Sequence, residues 1–404
     1  MLFGLVALQA AAVLASPVAR SAPVARDLYI PSDGPVPAPA AFGNFGLKFV
    51  DRTEGKPKYN PKAKRATLKY GPLTIVGKNE AKPVMEGMSM DPKGQAGIRM
   101  VSDGLPKDST ILSAHYELLN PDGSISDPSK LYIHHFTSMT PKQAKAPIGF
   151  CFNQNANSDR TLPFASFADR GEDSGATETV FTAANSSVVS GFHMRAQDMV
   201  MIQWDVVNYE PTPVDIYVAL TVEYLEGIQG LDAGATLKSV GGCGVGGPKL
   251  DKSGPSSTVS AKMPILADTQ IIWARGHLHA GGDSMDLLVN DKVVCTSVAQ
   301  YDNDGVIENM TLCPKPIQLK KGDTLQVSSL YDLAKHPLRK STGDEGHSHG
   351  GSESEAEGDA HGEMEGMEGM EGMEHGGASD GATTVLGGED VMGMFAITYT
   401  VNPQ

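Results

Sequence analysis

The chain has 404 residues, enough for two domains and their connections, and a formal net charge of −15. Twelve acids and no Lys or Arg fall between Ser341 and Asp380, so the rest of the chain is close to −3. No basic stripe remains to neutralise phosphates, which leaves nucleic-acid binding without a basis.

The opening run MLFGLVALQAAAVLA is short, apolar and followed by small residues, as in a secretory signal peptide over 1–19. No later run is long and apolar enough to span a membrane. The protein is therefore expected to be secreted, in the extracellular space or the cell wall. Residues 20–60 read as an N-terminal extension.

From residue 61 onward apolar residues recur with period two, as in STILSAHYELL, DMVMIQWDVVNY, VDIYVALTVEYL, QIIWARGHLHA and VMGMFAITYTV. Clusters of turn residues such as NPDGSISDPS and YDNDG separate them. Many short strands with regular turns predict an all-β fold of two antiparallel β-sandwich, jelly-roll-like domains. The Gly- and Pro-rich stretch 241–257 reads as the linker, between a first domain at 61–240 and a second at 258–404.

Within the second domain, 341–380 cannot bury a core and is expected to be a disordered loop. It holds His347, His349, His361 and His375, together with Met364, Met367, Met370 and Met373. Thioether and imidazole are soft-metal ligands, so copper capture competes with the simpler reading of a solvated acidic loop.

Four cysteines permit three pairings. In an oxidising compartment the favoured one joins Cys295 to Cys313 and Cys151 to Cys243. Asn185 and Asn309 lie in N-glycosylation sequons.

The remaining histidines carry the chemistry. His277 and His279 stand two apart in an apolar strand, so both imidazoles project from one face. Burying such a pair without a partner is costly, and a metal is the usual partner. His134 and His135 are adjacent, which puts them on opposite faces of an ideal strand. Met392 and Met394 precede a late strand, where methionine either ligates copper or fills core gaps. His115 and His193 have no paired neighbour and read as hydrogen-bonded core residues.

An early HH on a strand, a later HxH and a Met opening a late strand resemble, in that order, the copper type II, ascorbate-dependent monooxygenases. Peptidylglycine α-hydroxylating monooxygenase belongs to that family. SAHYELLN…LYIHHF, GHLHAGG, VVCTSVAQYD, SSLYDL and VMGMF are similar to the stress-upregulated nodulin family. The resemblance covers about 105–401, interrupted by the acidic insertion. It implies two copper sites: His277, His279 and Met392 at the oxygen-activating one, and His134 and His135 at an electron-transferring one. Arg275 occupies the position of an arginine that contacts a substrate carboxylate.

The chain departs from that pattern in two places. Gln203, Trp204 or Asp205 stands where a third imidazole of the first site belongs, with His193 or His115 as substitutes that match no motif. Met394 and Ala396 stand near the tyrosine and asparagine that complete the carboxylate clamp. The resemblance implies hydroxylation of a C–H bond on a small-molecule or peptide-like substrate, with O2 and ascorbate. The rival reading is a non-catalytic extracellular copper binder or a stress-related wall protein.

Overall fold

A computed structural model describes residues 46–82, 94–140, 189–241, 254–338 except 304 and 314, and 391–401, with shorter pieces between 144 and 183 and at 248, 250 and 251. The expected signal peptide, Asn185, Cys243 and the expected acidic loop lie outside the described residues. Among the described residues every regular element is a strand, so the fold is all-β, and the sheets stack as in sandwiches.

The strands enclose two hydrophobic cores. The first gathers residues such as Leu68, Tyr116, Phe136, Phe192, Trp204 and Leu220. The second gathers Ala274, Leu278, Met285, Leu287, Val327, Tyr331 and Phe395. Strands Ser109–Leu119, Val214–Glu226 and Lys64–Ile75 form one wall of the first core. Its other wall is built from Leu131–Thr140, Val200–Asn208 and Ala165–Gly171. The second core lies between Thr269–Leu278 with Gly393–Val401 on one side and Gly282–Val289 with Thr324–Tyr331 on the other.

A continuous sheet joins the two. Leu231–Ser239 pairs along its length with Gly393–Val401, which pairs in turn with Thr269–Leu278. Among the described residues, pairing between the strands is antiparallel except where Ser190–Met194 meets Leu231–Ser239.

Two expected boundaries move. Phe49–Gly55, assigned to the extension, is an edge strand on Lys64–Ile75, with Phe49 against Tyr70 at 5.8 Å between ring centroids. Its side chains are mostly exposed on both faces, so it leaves no alternation to read. Ser256 and Ser257, assigned to the linker, begin a strand that pairs with Thr324–Tyr331.

Cys295 and Cys313 form the expected disulfide, tying the outer sheet of the second core to the segment beside Ala274. Gly276 is glycine because two sheets approach there. A Cβ at that position would meet Met310 Cε at 2.9 Å and the Cβ atoms of Met285 and Ser297 at 3.1 Å.

Candidate metal centre

On strand Leu131–Thr140, Ile133 faces Val206 and Phe136 faces Trp204, and all four side chains belong to the first core or pack on it. His135 is opposite Asp205, which leaves His134 as an extra residue in the ladder. This is a β-bulge, the device that re-aims side chains at sites. Both imidazoles consequently leave the strand on the side away from the core, with ring centroids 4.2 Å apart. Adjacent histidines thus share a face that an ideal strand would deny them.

The second pair needs no such device. Ala274 and Leu278 point into the second core, so Arg275, His277 and His279 project from the opposite face. His279 directly follows the strand, and the chain then turns at Gly281, whose φ of +95° suits glycine.

The two histidine strands belong to one sheet but are not neighbours. Ala165–Gly171, Leu231–Ser239 and Gly393–Val401 lie between them. Four strand spacings in a flat sheet would hold them about 19 Å apart. Instead His135 lies 5.6 Å from His277 and 5.7 Å from His279 between ring centroids, and His134 lies 5.5 Å from His279. The sheet therefore folds back on itself between the two histidine strands. The histidines sit inside the fold.

His134 is fully buried, His277 and His279 nearly so, and His135 half-buried. The ligand nitrogens of His134, His135 and His279 all lie within 4.8 Å of one another, a group that can hold a metal ion. His277 completes a ring of four, 5.2 Å from His279. The Asp205 carboxylate is 3.1 Å from His134 Nδ1. A carboxylate on one ring nitrogen orients the imidazole and leaves Nε2 for a metal, which is how histidine ligands are held in metalloproteins.

The pairs expected at two separate copper sites are thus drawn into one cluster. Met394 is directly opposite His277, and continuing the register one step past the last pair, Leu278–Gly393, brings Met392 level with His279. Opposed residues share a face, so both thioethers start on the histidine side. Arg275 lies on this face too, 4% exposed and opposite Ala396.

His115 and His193 stand apart from the cluster, as hydrogen-bonded residues. His115 Nδ1 is 3.2 Å from the Thr177 carbonyl, and His193 Nε2 is 3.2 Å from the Gln229 carbonyl. Of the three residues standing in place of a third imidazole, Trp204 enters the core, Gln203 is exposed and Asp205 reaches the cluster. Asp205 was legible only as a charge inside the apolar run VMIQWDVVNY, since a buried carboxylate requires a partner. The Asn309 amide is half-buried and donates to Gln300 Oε1 at 3.2 Å, while its oxygen accepts from Thr177 Oγ1 at 3.2 Å. Cys151 lies on a short strand, Phe150–Phe152; its expected partner, Cys243, is outside the described residues.

Comparison of the chain with known protein families finds no matching family, and no curated protein matches it.

Proposed function

We propose that this is a secreted copper-binding protein whose metal is held by His134, His135 and His279, with His277 and a thioether from Met392 or Met394 beside them. The observation that carries this reading is the meeting of two distant histidine pairs in one buried cluster, with Asp205 behind His134. Imidazole alone suits several transition metals; adding thioether selects copper, and Cu(I) in particular. The disulfide Cys295–Cys313 supports an oxidising compartment.

Copper in such a site supplies O2-dependent oxidation, which with ascorbate as two-electron donor converts R–H and O2 to R–OH and water. The chain's own part is to hold the rings and to keep water out. The bulge fixes His134 against His135, Asp205 sets the His134 tautomer, and burial of His134 and His279 dries the centre. Arg275, two residues before His277, supplies positive charge on the same face.

A second reading, a non-catalytic copper binder, draws on the same burial: only His135 of the four is half-open to solvent, as in a closed site. Copper titration against a competing chelator decides the first point. One tight equivalent in the parent, lost in His279→Ala and kept in His193→Ala, is expected; retention in His279→Ala removes the centre. Oxygen uptake by the copper-loaded protein with ascorbate then separates oxidase from binder.

A further inference from the structure

The face that carries His277 also walls a cavity of about 170 Å³, bounded by Thr137, Met139, Asp169, Leu237, Trp273 and Ala396. Leu237 is opposite Ala396, and Trp273 is on the same face as Arg275 and His277. Thr137 follows His135 by two residues on its own face. At about 3.3 Å per residue the cavity begins roughly 7 Å along the strand from the histidine cluster.

The wall has two unmet demands among the described residues, the Trp273 indole and the Thr236 hydroxyl. Trp273 Nε1 is buried and has no hydrogen-bond partner. Indole can only donate, so it requires an acceptor that the described residues do not provide. Three other polar groups of the wall are engaged: Asp169 Oδ1 accepts from Thr179 Oγ1 at 3.2 Å, Thr398 Oγ1 donates to the Val180 carbonyl, and Ser138 Oγ to that of Ala168. Met139, Leu237, Ala396 and Ile397 are its apolar part. Among the described residues no Lys or Arg lines the space, and the Asp169 carboxylate disfavours an anion. A cavity of about 150 Å³ accommodates benzene, so this one has room for a ring and a small substituent.

We infer that this cavity binds a neutral, single-ring molecule whose carbonyl oxygen accepts the hydrogen bond of Trp273 Nε1. The binding site stands without any metal; that its occupant is the molecule presented to the metal centre rests on the function proposed above.

The test uses the full chain, stripped of metal with a chelator and labelled with 15N at its indoles. Only Trp204 and Trp273 contribute, and Trp273→Phe assigns the pair. The probes are acetophenone, ethylbenzene, which keeps the ring without the acceptor, and benzoate, which adds a charge. Acetophenone should bind and move the Trp273 indole resonance. Ethylbenzene should bind about tenfold more weakly, the worth of one hydrogen bond, and benzoate more weakly still. Trp273→Phe should erase the preference for acetophenone over ethylbenzene, and Ala396→Leu, which fills the space, should abolish binding. An unmoved Trp273 resonance at high acetophenone, equal affinity for ethylbenzene, or unchanged binding in Ala396→Leu overturns the inference. Repeating the titration with Cu(II) added tests the link separately. Paramagnetic broadening of bound acetophenone supports a neighbouring metal, whereas binding without broadening leaves the cavity standing and removes the metal from beside it.

Discussion

Asp205 lies across the ladder from His135 and turns its carboxylate to His134, 3.1 Å from Nδ1. One acid therefore holds the bulged histidine from the neighbouring strand. Outer partners of this kind are worth about 10–100-fold in metal affinity. Asp205→Asn should fold normally yet bind copper weaker by that factor in a chelator competition. Unchanged affinity would show that the carboxylate does not orient a ligand.

Met394 offers sulfur opposite His277, and Met392 lies two residues further along, just past the Leu278–Gly393 pair that ends the ladder. Leucine conserves volume, so either substitution should cost less than about 1.5 kcal/mol of stability. Leucine has no lone pair, so replacing the methionine that ligates should weaken Cu(I) binding and remove sulfur scattering from the X-ray absorption of the reduced protein. The measurement belongs in a chain with Met364, Met367, Met370 and Met373 replaced by serine. Sulfur scattering absent from that chain before either substitution would leave a purely imidazole site.

Gly276 separates Arg275 from His277 and lets the histidine strand press on the outer sheet. A methyl group added there would lie within 3.1 Å of Met285, Ser297 and Met310. Gly276→Ala overpacks that contact and should destabilise by about 1–3 kcal/mol, read from urea unfolding. A neutral result would mean that the two sheets separate easily.

Lys238 pairs in the ladder with Phe395 and is 4% exposed. Burial pushes its ammonium down from the usual 10.5 to about 7. The unfolded chain then binds more protons than the folded one between about pH 7 and pH 10.5, so stability rises with pH across that window and the penalty is fully present below it. Lys238→Met should raise the melting temperature at pH 6 and flatten this slope, with a gain on the order of a few kcal/mol at pH 6. A parent whose stability does not rise from pH 7 to pH 10 contradicts the shift.

The all-β architecture was legible because period two is a local property: a strand with one buried face writes it into its own residues, as in Leu131–Thr140. The same periodicity put His277 and His279 on one face. It missed Phe49–Gly55, since an edge strand exposed on both sides carries no alternation.

His134 and His135 were misaligned by that very rule. A bulge is one unpaired residue in a ladder, and it exists only relative to a partner strand, here at Asp205 and Val206. Asp205 read as a missing ligand because its role depends on what the neighbouring strand brings to it. Amino-acid order alone determined which side chains could ligate and which strands carry them. Tertiary structure decided that the two histidine pairs share one centre, because a sheet that would hold them about 19 Å apart when flat folds back and closes them on each other.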